Sequence, residues 1–263
     1  MKITIIGSGS KGNCTYIETK HAKILIDAGF SYLETKRRLL TKGIKLESLD
    51  AIFITHEHSD HIAGLVRVSE ATNAKIFIHE SSYYNMPEKT RIKLNPRMVY
   101  FIEEQNKYQI NDLTIVPLKM SHDAANCFAF LLKDEKGTYA HVTDTGTIKK
   151  EYLGILRKID TILIESNHDL TLLENSNRPY YLIKRISSNK GHLSNAKCAI
   201  YLNEIVSEKT KRVILTHLSE ECNEPSLAVD EVKKVFLEKL PFELLVANQY
   251  IPLDTIVIGE DDV

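Results

Sequence analysis

The sequence has little of what would assign a chain to a simple class. Its 34 basic and 35 acidic side chains leave a formal net charge of −1. This balance excludes a global positive field, so any nucleic-acid contact must come from a local patch. No apolar run approaches the roughly 18 residues of a membrane-spanning helix. The first apolar stretch ends at Gly7, so we expect neither a signal peptide nor a membrane partner.

Cysteines are also few, and their spacing excludes the common metal and redox motifs. The four thiols, Cys14, Cys127, Cys198 and Cys222, form no CxxC pair. We therefore expect reduced thiols in a cytoplasmic protein. Cys222 follows His217 by five positions, so a metal-ligand role stays open beside that of a free thiol. The 263 residues suffice for one large domain or two small ones, and no internal repeat is evident.

What the sequence does contain is a dense cluster of metal-binding residue types, His56-Glu57-His58-Ser59-Asp60-His61. An apolar, β-branched segment precedes it and a helical pattern follows, so the cluster is predicted at a strand's carboxyl end. On an extended backbone His56 and His58 share one side, whereas on a helix they would point about 200° apart. The HExxH motif is excluded because position 60 is Asp. The alternative is a solvated polar loop.

The glycines at positions 7, 9 and 12 fit the GxGxxG pattern of dinucleotide-binding proteins. Such a site needs a helix directly after the glycines, because the helix N-terminus binds the pyrophosphate. Here two strands are predicted instead, over residues 15–18 and 23–27. We reject the dinucleotide reading and expect a glycine turn.

Further polar residues follow predicted strands. They are Asp27, His122, Asp144, Glu165, His168 and His217. Taken one at a time, His122, Asp144 and His217 are weak signals, and their shared position at strand ends strengthens all three together. Ser194 is the expected N-cap of a helix. Residues 32–42 are predicted to form a helix with Leu33, Leu39 and Leu40 inward and Lys36, Arg37 and Arg38 outward. Residues 85–97 are basic and read as a substrate-contacting loop or a plain surface loop.

The HEHSDH segment resembles the HxHxDH signature of the metallo-β-lactamase-fold hydrolases. Six further stretches fit in order: GSGSKGN (7–13), LIDAG (25–29), SHDA (121–124), TDTG (143–146), GHLSN (191–195) and LTHLS (215–219). Together they are most similar to the YycJ/WalJ-type subgroup. The resemblance implies an α/β (α+β) fold, a four-layer αββα sandwich of two mixed sheets packed face to face with helices outside.

The same resemblance implies a single domain over residues 1–263. Only 22 positions separate His122 from Asp144, and 73 separate Asp144 from His217. These intervals are too short for a tRNase Z exosite arm or an inserted β-CASP domain.

The resemblance also implies a site for two divalent ions, zinc, manganese or iron, which imidazole and carboxylate ligands all accept. His56, His58 and His122 would bind one ion, Asp60, His61 and His217 the other, and Asp144 both. Asp60 is in addition a catalytic candidate. By the resemblance, Asp27 would orient the ligands. Glu165 and His168 could themselves be ligands, but the family positions already fill a two-metal site, so we favour a role in orienting the ligands or in binding substrate.

The implied activity is a phosphodiesterase or nuclease acting on DNA, of the 5′-to-3′ exonuclease type, in which a metal-activated hydroxide attacks. His192 is the candidate proton donor, and the alternative is a helix-capping histidine. Candidate substrate contacts are Ser8, Ser10, Asn13, Lys184, Arg185 and Lys190. Two other functions stay open: a hydrolase of small esters, lactones or phosphodiesters, and a non-catalytic metal-binding module. The sequence does not fix the oligomeric state.

Overall fold

The computed structural model describes residues 1–259, which divide into two compact units. The first comprises Met1–Lys119, Ala124–Gly137 and the chain from Asn248 onward, and the second comprises Met120–Asp123 and Thr138–Ala247. The strands form two mixed seven-stranded sheets, and both units contain helices, as the predicted α/β class requires. The prediction of a single domain without an insertion stays a prediction.

The first unit contains a sheet with the strand order β14-β1-β2-β3-β4-β5-β6. Strands β1 to β3 are antiparallel and β3 to β6 are parallel. Most positions of the inner strands are buried on both faces, which explains why β-branched residues fill them. The ranges are β1 (Lys2–Gly7), β2 (Cys14–Glu18), β3 (Lys23–Ile26), β4 (Ala51–Phe53), β5 (Lys75–Ile78), β6 (Val99–Phe101) and β14 (Ile256–Val257).

The glycine segment is a loop between two of these strands. It connects β1 to β2, and β3 follows, so the prediction that no helix comes after the glycines is confirmed. A dinucleotide site of the GxGxxG type, which was rejected from the sequence, would therefore have no helix N-terminus to bind the pyrophosphate.

Three more strands of the first unit pack on this sheet. They are β7 (Tyr108–Ile110), β8 (Leu113–Met120) and β9 (Cys127–Lys133), of which β7 and β8 pair antiparallel. The Phe53 ring of β4 stacks on Phe77 at 4.6 Å between centroids and meets the edge of Phe130 of β9 at 5.6 Å. These aromatic contacts join two layers of strands within the unit.

Helices cover the other face of the first sheet. They are α1 (Tyr32–Leu40), α2 (Ser59–Ile62), α3 (Leu65–Thr72), α4 (Glu80–Asn85) and α5 (Glu88–Arg91), followed by a 3₁₀ turn at Pro96–Met98. The buried core on this side includes Leu39, Ile54, Leu65 and Ile78.

The side chains of α1 depart from the prediction. Leu39 is buried as expected, but Leu33 and Leu40 are 75% and 59% exposed. Arg38, predicted outward, is buried: its guanidinium lies 4.0 Å from the Phe30 ring centroid, and its Nη1 donates to the carbonyls of Ile6 and Gln249. A long cationic side chain can be buried when its charged group finds hydrogen-bond acceptors. The spacing of apolar residues along a helix gives no information on such acceptors.

The second unit contains four parallel strands in the order β13-β12-β11-β10. They are β10 (Thr138–Val142), β11 (Thr161–Glu165), β12 (Arg212–Thr216) and β13 (Glu243–Val246). Its helices are α6 (Lys150–Leu156), α7 (Leu170–Glu174), α8 (Tyr180–Ser187), α9 (Asn195–Ile205) and α10 (Pro225–Val235). The Ser194 hydroxyl accepts from the Lys197 amide at 3.2 Å, which confirms Ser194 as the N-cap of α9.

Within residues 1–259, no helix combines the length and the apolar character that crossing a bilayer requires.

A glycine between α2 and α3 is required by a close backbone contact. A Cβ atom built on Gly64 would lie 1.8 Å from the Phe30 carbonyl oxygen, and one on Gly154 of α6 would meet nothing within 4 Å. We expect Gly64→Ala to lower the free energy of unfolding by about 3 kcal/mol or more, because backbone atoms must shift. Gly154→Ala should raise it by about 0.5–1 kcal/mol. Urea denaturation of both variants measures the two signs, and equal stabilities would contradict the packing described.

Candidate metal centre

The HEHSDH segment begins where buried strand β4 ends. Ile54 and Thr55 continue the chain from β4, His56 follows, and His58 is the N-cap residue of the short helix α2 that carries Asp60 and His61. The ring centroids of His56 and His58 are 4.5 Å apart, and those of His56 and His61 are 4.1 Å apart. The strand end and the helix turn thus gather three imidazoles in the first unit.

Asp27 lies beneath these imidazoles and is fully buried. Its carboxylate accepts from the Thr55 amide and hydroxyl and, at 2.8 Å, from His61 Nδ1. The Thr55 hydroxyl is also 3.0 Å from His56 Nδ1. Burial raises the pKa of the Asp27 carboxyl, and the nearby His61 and Thr55 act in the opposite direction. Asp27 thus contacts the HEHSDH segment, and its role in orienting metal ligands stays a prediction.

Asn13 lies in the glycine loop and touches Asp60. Its Nδ2 is 3.1 Å from Asp60 Oδ2 and 3.1 Å from His61 Nε2, and its Oδ1 accepts from the Ser8 hydroxyl and the Gly9 amide. Ser8 and Asn13 are buried and Ser10 is exposed. The loop therefore packs against the HEHSDH segment, and Asn13 supports Asp60, a contact that the sequence did not reveal.

The second group of predicted residues lies at the carboxyl ends of β10, β11 and β12. Asp144 follows β10, Glu165 ends β11 and His217 follows β12. Asp144 and His217 have φ angles of 53° and 57°, so both residues turn the chain sharply at the strand end. Their side chains approach closely, with His217 Nε2 3.5 Å from Asp144 Oδ1.

Glu165 connects this group to the predicted proton donor. Its Oε1 accepts from His192 Nδ1 at 2.7 Å and from His217 Nδ1 at 2.9 Å, and its Oε2 accepts from the amides of Thr145 and Leu193. Although burial raises the pKa of Glu165, the charges and hydrogen bonds of His192 and His217 lower it below the usual value. Despite its own burial, His192 has a raised pKa because of Glu165.

Two more histidines complete the second group. His122 Nδ1 donates to the Gly191 carbonyl at 3.1 Å, and its Nε2 lies 4.0 Å from Asp144 Oδ1. Burial lowers the pKa of His122. His168 is buried, and its Nδ1 lies 3.2 Å from Asn167 Oδ1. Burial lowers the pKa of His168 to about 4. A backbone bridge pairs His168 with Ser194, so this segment holds the chain that carries His192.

A common hydrogen-bond pattern among these histidines matches metal ligation. In His56, His61, His122 and His217, the Nδ1 atom is engaged by a hydroxyl, a carboxylate or a carbonyl oxygen. Metal-ligating histidines usually donate one ring N–H to such a partner, which fixes the other nitrogen for the cation. In addition, ligand atoms of Asp144, Glu165, His192 and His217 lie within 4.8 Å of one another. Both groups have the donor chemistry that zinc, manganese and iron accept.

The predicted basic contacts lie on and after α8. The Lys184 amine lies 5.3 Å from the Tyr180 ring centroid, and Arg185 pairs with Asp123, beside His122. Lys190 is exposed in the turn before His192. The His192 amide donates to the Ile186 carbonyl at 2.9 Å, so the end of α8 is hydrogen-bonded to the loop that carries His192. All four cysteines are buried, Cys222 among them.

Comparison with known proteins identifies the class. The sequence profile of the family described as "Beta-lactamase superfamily domain" matches residues 22–218. The chain belongs to this superfamily, and its fold and its clustered histidines and acids define a metal-dependent hydrolase of the metallo-β-lactamase fold. The fold is also that of the protein YhfI from Bacillus subtilis, described as a metallo-beta-lactamase fold protein, with a TM-score of 0.71, 19% identity, and 96% and 98% of the two chains covered. The predicted fold class is confirmed.

Two relatives with similar sequences indicate the subgroup within this superfamily. Exodeoxyribonuclease WalJ of Streptococcus pneumoniae is 36% identical over 229 residues, which cover 86% of this chain and 85% of the relative. Exodeoxyribonuclease YycJ of Bacillus anthracis is 28% identical over 240 residues, with 91% and 90% covered. The predicted resemblance to the YycJ/WalJ-type subgroup is therefore confirmed.

Proposed function

We propose that this protein is a metal-dependent phosphodiesterase that shortens DNA from its 5′ end, as a 5′-to-3′ exonuclease. One observation carries the proposal. Several candidate ligand histidines have an Nδ1 atom that is hydrogen-bonded to a carboxylate or carbonyl oxygen. They belong to a chain that is 36% identical to an exodeoxyribonuclease over 85% of that relative's length. Such histidines suit metal ligation, and metal-assisted hydrolysis suits phosphodiesters, whose cleavage depends mainly on positioning and electrostatics.

Seven side chains are the proposed ligands of two divalent ions, zinc, manganese or iron. His56, His58 and His122 would hold one ion, Asp60, His61 and His217 the other, and Asp144 would contact both. When bound, such ions supply positive charge to phosphate oxygens and lower the pKa of water from about 15.7 to near 7. Asp27 and Glu165 would fix the ring orientations, since each accepts from the Nδ1 of one ligand histidine.

His192 is the proposed proton donor to the leaving oxygen. Its Nδ1 is engaged by Glu165, so Nε2 is the nitrogen that would face the substrate. Its side chain is 17% exposed, which allows a reacting group to reach it. Asp60, half-buried and held by Asn13, is proposed to orient the attacking water as well as to bind metal.

Substrate contacts are proposed at two places. Ser8, Ser10 and Asn13 belong to the loop beside Asp60, where the burial of Ser8 and Asn13 favours a supporting role and the exposure of Ser10 favours direct contact. Lys184, Arg185 and Lys190 precede His192 and would meet backbone phosphates. We further propose that the protein works in the cytoplasm, where its buried thiols stay reduced.

The test is hydrolysis of 5′-phosphorylated DNA with manganese or zinc, after elemental analysis has confirmed bound metal. We expect mononucleotides to appear from the 5′ end. RNA of the same sequence, a chromogenic phosphodiester and a lactone are assayed in parallel. Absence of DNA product from metal-loaded protein would refute the proposal. Turnover of the small esters far above that of DNA would favour a small-molecule hydrolase instead.

A further inference from the structure

An exposed group of aromatic rings lies at the edge of the first sheet, outside the metal-binding residues. We define the aromatic patch as Tyr83 and Tyr84 of α4 and Phe101 of β6. Their ring centroids are 5.3 to 6.2 Å apart, so the rings contact one another. Tyr84 is 57% exposed and Phe101 is 43% exposed. Exposed aromatic rings that contact one another are candidates for a binding surface.

A basic segment follows α4, and one of its side chains contacts the patch. From Lys89 to Arg97 the chain contains four basic residues and no acidic one, Lys89, Arg91, Lys93 and Arg97. The Arg91 guanidinium lies 5.8 Å from the Tyr84 ring centroid, and its Nη1 donates to the Tyr84 carbonyl at 2.7 Å. Lys89, Lys93 and Arg97 are exposed. Aromatic rings beside exposed cations suit a ligand that has both flat bases and phosphates.

The strand register places the patch close to the HEHSDH segment. Phe101 pairs with Ile78 of β5, and the Ile54 amide donates to the Phe77 carbonyl, so Phe101 lies two strands from Ile54. Two interstrand spacings of about 4.8 Å and two residues of about 3.3 Å put His56 on the order of 12 Å from Phe101, between Cα atoms. A nucleic-acid strand whose scissile phosphate lies at His56 would reach the patch within a few nucleotides.

We propose that the aromatic patch and the cations of residues 89–97 bind the single-stranded part of the DNA substrate, with bases stacked on Tyr84 and Phe101. The proposal rests on the nuclease function proposed above. A second copy of this chain is the competing occupant, because β6 is the last strand of its sheet. Charge favours DNA: a symmetric pairing of two copies through this surface would bring the two sets of cations together.

The test measures binding separately from cleavage. A 3′-labelled oligothymidylate with phosphorothioate linkages is titrated with the full-length, metal-loaded protein, and the Kd is read from fluorescence anisotropy. We expect the double variant Tyr84→Leu, Phe101→Leu to raise Kd about tenfold for each stacked base lost. Tyr84→Phe, which keeps the ring, should stay within about twofold of the unsubstituted protein.

Two further measurements separate stacking from a general loss of binding. Removing the bases with abasic nucleotides should weaken binding to the unsubstituted protein but change little for the double variant. Lys89→Ala with Lys93→Ala should lower the slope of log Kd against log salt by about 0.7 for each cation. Lys36→Ala, at an exposed lysine of α1, is the matched control and should leave the slope unchanged.

The outcomes are distinct for the two proposals. A folded double variant with an unchanged Kd would overturn the patch proposal even if DNA is cleaved. Dissociation of a dimer by the same variant, with DNA binding intact, would assign the patch to a second copy. Ring-dependent binding of the oligonucleotide without hydrolysis of any nucleic acid would support the patch and refute the nuclease proposal.

Discussion

Replacing His58 with alanine is expected to remove one of the two metal ions and lower kcat for DNA by about a thousandfold or more. His58 is half-buried at the N-cap of α2, and its ring is 4.5 Å from that of His56. Metal coordination contributes several kcal/mol to transition-state stabilisation, and each 1.36 kcal/mol corresponds to a factor of ten in rate. Elemental analysis and single-turnover cleavage of 5′-phosphorylated DNA measure the two effects.

The matched control is His21→Ala, which removes an exposed imidazole from a turn of the first unit. It should keep both the metal content and the rate. Circular dichroism should show the same fold for both variants, because the His58 side chain makes no capping bond to α2. Full activity in His58→Ala with two ions bound would contradict the ligand assignment and favour a metal-binding module without catalytic function.

Replacing His192 with alanine is expected to lower kcat for DNA by about 10² to 10⁴, the range of general acid catalysis, while both metal ions stay bound. The reason is that an alkoxide leaving group needs a proton, and His192 is held by Glu165 at 2.7 Å with Nε2 on the opposite side of the ring. A phosphodiester with a nitrophenolate leaving group needs little protonation, so its hydrolysis should fall by less than about tenfold. Comparing the two substrates measures the leaving-group dependence.

A second variant changes Glu165, the residue that positions His192. Glu165→Gln keeps the shape of the side chain that accepts from His192 and His217, but removes its charge. It should affect metal affinity as well as rate, since His217 is a proposed ligand. An equal loss for both substrates in His192→Ala, or loss of metal from that variant, would remove His192 from the proton-donor role and assign it to ligand binding.

Much of the fold was predictable because its signals are local. The buried strand before His56 could be recognised from consecutive apolar and β-branched residues, and the strands after the glycines excluded a dinucleotide site. Ser194 was identifiable as an N-cap because capping depends on a few neighbouring residues. The outward and inward faces of α1 were predicted less well, because the environment of Arg38 depends on Phe30, Ile6 and Gln249.

The partners of the ligand candidates were not predictable to the same degree. Asp27 was expected to orient the HEHSDH segment, and it does accept from Thr55 and His61. By contrast, Asn13 beside Asp60 and the double contact of Glu165 with His192 and His217 join residues 27 to 52 positions apart. Sequence spacing has no information on such pairs, since they depend on which strands are neighbours.

By itself, the sequence determined the chemistry: imidazole and carboxylate groups at strand ends, in the order that the superfamily shares, and a chain with no strong overall charge. The tertiary structure decided which nitrogen each histidine presents, because the engagement of Nδ1 by Asp27, Glu165 or Gly191 requires residues distant in the chain to meet. It also decided that Tyr83, Tyr84 and Phe101 form one surface. The residue types can be read directly from the sequence, whereas the contacts between them arise only from strand pairing and packing.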